Sequence, residues 1–459
     1  MPPMNLILEK QRDFFATGKT KDLSFRLTQL KNLKTAIESN ETLISEALFA
    51  DLKKSEAEGF ITELGVFYKD LDISIKKLHK WVKPRRVGTP LFYAIGSSKI
   101  IPEPYGNCLI IGPWNYPFLL VMAPLVGALA AGNTAIIKPS ELAPHVSAVL
   151  KKIVDETFEE HLVAVIEGAV KETTELLAQK FDYIFFTGSS KVGRIVYEAA
   201  AKNLTPVTLE LGGKSPCIVD TALDIELTAR RIVFGKFLNC GQTCIAPDYL
   251  LVQEGVKAEL VVKLIEKIKQ FYGPQVKESE DFGRIISSAH FDRLTSLLKE
   301  GNMLFGGDTD PVQKYISPTI IDGVTGDNQI MKEEIFGPIL PIMTYSKVEE
   351  AIDFVNAGPK PLALYIFSKE KAKVNKVLGA TSSGVVCVND TVLQYGNHYL
   401  PFGGVGDSGF GTYHGRHSFE MFSHHKSVLH KSFFPDITIR YAPWKKNLSL
   451  FKKLFKYLG

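Results

Sequence analysis

An α/β protein built on parallel, doubly wound sheets is predicted by two observations. Between residues 106 and 210 short apolar runs, NCLIIGP, TAIIKP, LVAVIEG and YIFFTG, alternate with stretches of helical period such as 144–158, where Val146, Val149, Ile153 and Val154 share a face. Residues 211–400 repeat the alternation, which gives a second α/β unit. Ahead of both, residues 22–84 carry long 3.6-residue patterns, with Leu27, Leu30, Leu33 and Ile37 on one face, and read as helices. Ligands of such sheets lie beyond the carboxyl ends of the strands, so chemistry is sought there.

Composition sets the outer bounds. A chain of 459 residues with 45% apolar content can bury a large core and form two or three domains. A formal charge of +4 and the absence of a basic run in the body of the chain point away from nucleic acid. The opening MPPMNLILEK lacks the apolar stretch of a signal peptide. The longest apolar run, FLLVMAPLVGALAA at 118–131, is broken by Pro124 and is shorter than the roughly 20 residues a membrane span requires, so a buried helix is expected. Together these readings favour a cytoplasmic protein. Five cysteines without paired CxxC spacing suggest a reduced compartment and no metal site. Cys108, Cys217 and Cys387 lie in strand-like runs and read as small buried hydrophobes.

Two segments carry the chemistry. Cys244 in NCGQTCIAP supplies a nucleophilic sulfur, with Gly241 and Pro247 implying a held loop. The flanking Gln242, Thr243 and Ile245 carry no charge, so activation must come from elsewhere in the chain. Glu210 in LELGGKSP is the candidate, a carboxylate able to activate water at a strand end, followed by the Gly212–Gly213 pair that allows a sharp turn. A thiol and a base can make and then hydrolyse an acyl intermediate.

Other motifs are ambiguous as bare residues. FFTGSSKVG sets Gly188 at a strand end and Gly193 in the following helical turn, an arrangement that suits either a pyrophosphate on a helix N-terminus or simple packing. Lys138 and Glu141 after TAII could bond the two hydroxyls of a ribose or merely end a strand. Asn115 in PWNYP could be a turn residue, and Glu334 and Phe336 in EEIFGP a helix-end acid and a core aromatic. PFGGVGDSGFG lacks the Lys-Ser/Thr of a P-loop and reads as a wall near the site. His414 and His417 have no metal-ligand spacing.

IGPWNYPF, NTAIIKPSE, FFTGSSKVG, VTLELGGKSP, GQTCIAPDY, EEIFGPILP and LPFGGVGDSGFG occur in the order found in aldehyde dehydrogenases. The chain resembles that superfamily along almost its whole length, and more closely its class 3 branch of fatty and dimeric aromatic aldehyde enzymes. The resemblance implies a Rossmann-type cofactor domain at 1–84 and 106–209, a catalytic domain at 210–415, an oligomerisation arm at 85–105 and 416–442, and a C-terminal tail at 443–459. In the arm, 94–104 would pair with a strand near 422–432, and the oligomer would be a homodimer. The resemblance makes Cys244 the nucleophile, Asn115 the donor to the oxyanion and Glu210 the activator of hydrolytic water in oxidation of an aldehyde to an acid. A pre-organised donor of the Asn115 type contributes roughly 3–4 kcal/mol to acyl transfer. It places Gly188, Ser189 and Gly193 along the dinucleotide, Lys138 and Glu141 at the adenosine ribose, and Glu334 and Phe336 at the nicotinamide ribose and ring. Glu333 would be a solvated neighbour. NAD is the expected cofactor, with NADP as the alternative.

Tyr68 and Leu119 would line an apolar tunnel for medium- or long-chain aliphatic or aromatic aldehydes. Cys240 departs from the small residue that is usual in the family, and is either a buried residue or a redox partner of Cys244. A thiol esterase or acyltransferase, and a non-catalytic protein on the same fold, are the competing readings. The tail gathers Trp444, Leu448, Phe451, Leu454, Phe455 and Leu458 on one side and Lys445, Lys446, Lys452, Lys453 and Lys456 on the other, suited to an anionic membrane surface or to the protein's own packing.

Overall fold

The structure, a computed structural model, describes residues 4–457 apart from 91, 92, 94, 95, 222 and 437, with only the backbone described at 457. A six-stranded sheet has the spatial order Gly409–Phe410, Val207–Glu210, Tyr183–Thr187, Asn107–Ile111, Thr134–Lys138, Val163–Val165. Every pairing in it is parallel except the first, where Gly409 faces Glu210 in antiparallel register. Asn107–Ile111, Thr134–Lys138 and Tyr183–Thr187 are buried at every position, as strands covered by helices on both faces must be, and this is why they read as unbroken apolar runs. The division expected at residue 210 falls inside the strand Val207–Glu210, whose edge partner comes from far along the chain.

A seven-stranded sheet follows in the order Asn302–Phe305, Thr319–Asp322, Ile339–Tyr345, Tyr249–Gln253, Pro216–Val219, Ala363–Phe367, Val385–Val388, antiparallel only at its first pair. The helix Leu119–Ala131 is buried at all thirteen residues, as its composition predicts, and closes at Gly132, which takes a left-handed φ of 93°. Cys108 and Cys217 are buried within strands, and Cys387 is half-buried.

The third sheet is small. Gly96–Pro104 pairs antiparallel with Ser423–Lys431 over nine residues, from Pro104 opposite Ser423 to Gly96 opposite Lys431, and Arg85–Val87 lies on the other side of Gly96–Pro104. The expected partnership of 94–104 with 422–432 is present within one chain, although Ala94 and Ile95 lie outside the described residues. The tail forms a helix over Leu448–Tyr457 with Trp444, Leu448 and Phe455 exposed; Leu458 lies outside the described residues. Among the described residues no helix is long and apolar enough to cross a membrane.

Candidate active site

Two cavities meet at Cys244. One, of about 460 Å³, is lined by Asn115, Gly188, Ser189, Glu210, Cys244 and Glu334 together with Trp114, His290, Arg293 and Phe336. The other, of about 290 Å³, has walls of Ile61, Val66, Leu119, Phe234, Leu238 and Val392, and again reaches Cys244. Leu120 and Tyr395 belong to both. Cys244 is partly exposed into this space while its neighbours Thr243 and Ile245 are buried.

Local backbone geometry holds the sulfur there. Asn239 and Cys240 both take left-handed φ, 52° and 55°, so the segment 238–241 cannot continue the helix Ile225–Phe237. A CxxxC pair on a helix would share a face; this kink removes that relation. Cys240 is 1% exposed and packs in the core beside Gly283, whereas Cys244 faces the cavities. Both thiols are free, so the structure favours the buried-residue reading of Cys240.

Burial pushes the Cys244 thiol well above its ordinary range, and the carboxylates of Glu334 and Glu210 add to the shift; the backbone N–H groups of Cys244 and Ile245 oppose it. Glu210 ends its strand 2% exposed, with neither carboxylate oxygen hydrogen-bonded, and burial raises it far above the usual carboxylate range. Burial thus favours the protonated form of both the thiol and the carboxyl group that face this cavity, and the unpartnered oxygens of Glu210 are open to a water or a substrate group.

Asn115 is buried, and its Nδ2 donates to the carbonyl of Gln242 at 3.0 Å, leaving one N–H of the amide without a protein acceptor. Its own carbonyl accepts from Lys54 Nζ at 3.0 Å and Asn239 Nδ2 at 2.8 Å. The cavity's far wall is the loop around Glu334, held from beneath. Lys214 Nζ donates to Asp248 and to the carbonyls of Ile330 and Glu333, Asp248 accepts the N–H of Ile335 at 3.0 Å, and Arg293 donates to the carbonyl of Ile335 at 2.6 Å. Burial, then Asp248, raises Glu334 to about 8 against the N–H of Gly213. Gly212 permits this approach, because a Cβ there would stand 2.0 Å from the Glu334 carboxylate. Phe336 meets Trp114 edge-on at 5.3 Å.

One expected position is corrected. Tyr68 lines neither cavity: from the helix Gly65–Trp81 its hydroxyl turns to Glu41, and Val66, on another face, meets the apolar cavity instead. Gly193 is buried against Leu211, where a Cβ would lie 2.7 Å from Cδ2, so helix–strand packing already requires a glycine there. Glu333 borders the cavity 3.7 Å from Arg293 with its side chain 37% exposed, as a solvated neighbour of Glu334. Lys138 and Glu141 sit at the end of the strand Thr134–Lys138, outside both cavities. Buried Lys138 donates to the carbonyl of Pro139 at 2.6 Å, lies 3.7 Å from half-exposed Glu141, and has its proton affinity lowered by burial. His414 is buried 3.2 Å from Asp70, and its ring meets that of Tyr395. Sequence reading passed over Lys54, Arg293, Tyr395 and Tyr413, which lie outside the quoted motifs, and also Lys214 and Asp248, which lie inside VTLELGGKSP and GQTCIAPDY but were given no role.

The cavity's chemistry suits a nicotinamide nucleotide. The N-terminal turn of the helix Ser190–Ala201, approached through Gly188 and Ser189, directs backbone N–H groups toward it, and Thr187 Oγ1 is buried with no hydrogen-bond partner. Two α/β sheets flanking a thiol, an amide and two carboxyl groups beside such a cradle define a nucleotide-dependent oxidoreductase. The pattern of the Aldehyde dehydrogenase family matches residues 5–428, and the chain belongs to that family.

The chain is 50% identical over 458 residues to 4,4'-diaponeurosporen-aldehyde dehydrogenase of Staphylococcus aureus (strain NCTC 8325 / PS 47), covering 99% of this chain and 100% of that one. It is 46% identical over 425 residues to aldehyde dehydrogenase family 3 member A2 of Macaca fascicularis, covering 93% and 88%. A structure of the substrate-bound state of Staphylococcus aureus AldH superposes with a TM-score of 0.97 at 49% identity, covering 99% of this chain and 100% of that one. The resemblance to the class 3 branch therefore holds, and the protein is an NAD(P)-dependent aldehyde dehydrogenase. The esterase and non-catalytic readings give way to it.

Proposed function

We propose that Cys244, Asn115 and Glu210 divide the oxidation of an apolar aldehyde among them. The observation that carries this reading is the position of Cys244 where the polar and apolar cavities meet. The sulfur bonds to the carbonyl carbon as its proton passes to solvent, and the oxygen that takes the carbonyl electron pair lies where the spare Asn115 N–H can donate. NAD(P), when bound, would supply the hydride acceptor that takes the Cys244-bound adduct to the acyl level. Glu210, once deprotonated, takes a proton from water as that water bonds to the acyl carbon, and the sulfur leaves with the carbon–sulfur pair. Glu334 and Phe336 would hold the nicotinamide end of the cofactor, Gly188 and Ser189 the pyrophosphate, and Lys138 with Glu141 the adenosine ribose. The Glu141 carboxylate repels a 2′-phosphate and favours NAD.

The walls of Ile61, Val66, Leu119, Phe234, Leu238 and Val392 suit medium- or long-chain aliphatic or aromatic aldehydes. A relative named for 4,4'-diaponeurosporen-aldehyde supports this class. A relative from Canis lupus familiaris, 44% identical over 445 residues, is named as dimeric and NADP-preferring, which supports a homodimer with the sheet of Arg85–Val87, Gly96–Pro104 and Ser423–Lys431 as the arm. The basic, amphipathic 443–459 segment would add peripheral contact with an anionic membrane.

Glu210→Gln tests the division of labour. A burst of about one reduced cofactor per site followed by little turnover is expected, because hydride transfer precedes the step assigned to the carboxylate. Equal loss of burst and steady state would make Glu210 chiefly the activator of Cys244. Cys244→Ser should abolish oxidation and keep cofactor binding.

A further inference from the structure

Beneath the loop that carries Asn115 lies an ion pair cut off from solvent. Lys54 and Glu63 are both 0% exposed, with Nζ and Oε1 at 2.6 Å. Such a pair is poor evidence for stability, since apolar replacements of buried pairs are often neutral or stabilising. What each partner does with its remaining valence is more telling. Lys54 Nζ donates to the carbonyl of Asn115 at 3.0 Å and stands 4.0 Å over the ring of Tyr116. Glu63 Oε2 accepts the N–H of Phe118 at 2.9 Å and of Leu119 at 3.1 Å, two donors at the start of the buried helix Leu119–Ala131 that the helix itself cannot satisfy. Glu63 reaches them from a π-helical turn over Phe60–Leu64, a local distortion often found at functional sites.

A second brace meets the same carbonyl. Glu58 Oε1 accepts the N–H of Asn239 at 2.6 Å, and Asn239 Nδ2 donates to the carbonyls of Asn115 at 2.8 Å and Gln242 at 3.1 Å. The Asn115 amide donates to that same Gln242 carbonyl, two residues before Cys244. The loop of the amide and the loop of the nucleophile are thus joined through the backbone of Asn115.

We infer that Lys54 and Glu63 are positioning residues for the Asn115 amide: they hold its backbone on both sides, so that one N–H stays on Gln242 and the other remains directed to the substrate oxygen beside Cys244. This rests on Asn115 acting as the oxyanion donor. Glu58, Glu63 and Lys54 line neither cavity, so they act on the reaction through the residues they hold, and of these Asn115 is the one assigned to the substrate oxygen.

A double-mutant cycle tests this, reading the burst rate constant at saturating aldehyde and cofactor, the dissociation constant of the cofactor, and thermal unfolding. Lys54→Met keeps the length of the side chain and removes its charge. It should slow the burst by about tenfold or more, toward the loss seen when an oxyanion donor is removed, and leave cofactor affinity within about twofold. In an Asn115→Ala background the same change should slow the burst by less than about threefold, because the group it positions is gone. Losses that multiply in the double mutant would overturn the inference and leave the role of Asn115 standing. An Asn115→Ala enzyme with a wild-type burst would instead remove the donor reading beneath it. If Lys54→Met does not fold, Lys54→Met/Glu63→Gln, a neutral pair, enters the same cycle with the same expectations.

Discussion

Glu210 shows what a single buried carboxyl group imposes. With both oxygens unpartnered and its proton affinity raised by burial, the folded protein holds a proton there that the unfolded chain loses near pH 4.5. Between that pH and the raised folded value the native state binds more protons, so this contribution to stability is full below pH 4.5 and declines as pH rises. Glu210→Gln removes the linkage, and the difference in Tm between variant and wild type should grow in the variant's favour from pH 5 to pH 8. A constant difference across that range would mean that Glu210 is ionised in the fold. Cys240 gives a second test at this scale. Because it packs in the core on the far side of a left-handed kink from Cys244, Cys240→Ala should be inactivated by peroxide, and recovered by a thiol reductant, at wild-type rates. Slower recovery in the variant would restore the disulfide reading.

Element-level contacts make sharper demands than the motifs disclose. Gly193 lets the helix Ser190–Ala201 lie against Leu211, and Gly193→Ala should lower stability by about 1–3 kcal/mol through overpacking, measured by denaturant unfolding. The sequence supports either a dinucleotide contact or packing for this glycine, since both need a residue without Cβ, and the position of Leu211 shows that packing requires it. Cys244 and Glu210 were legible because their residue types and neighbours already state a chemistry, whereas Asn115 and Glu334 were legible only through the family's motifs. The strands were legible for a related reason, as full burial leaves an apolar run. Tyr68 was misplaced because family geometry was carried to an aromatic residue without knowing its face of the helix. Lys54 and Glu63 carry no local signal, and Lys214 and Asp248, although inside quoted motifs, could not be read as partners, since a buried ion pair reads in sequence like the polar face of any helix or loop.

At the scale of the whole molecule, the tail leaves part of its apolar side open, with Trp444, Leu448 and Leu450 exposed while Phe451 and Leu454 are partly buried. If the proposed membrane contact is carried by this segment, deleting 443–459 should abolish co-sedimentation with anionic vesicles at low salt and leave kcat and Tm unchanged. A fall in Tm would assign the segment to the protein's own packing. The two cavities that share Cys244 carry a different consequence. The apolar one draws most of its walls from 61–66, 119–120, 234–238 and 392–396, and Asn115, Glu210 and Glu334 do not border it. Evolution or design can therefore retune which aldehyde is taken, for instance through half-exposed Leu393 or Ile61, while the reacting groups and the nucleotide cradle stay fixed. The fold thus keeps the part that selects the aldehyde apart from the part that reacts with it, and the two meet at Cys244, Leu120 and Tyr395.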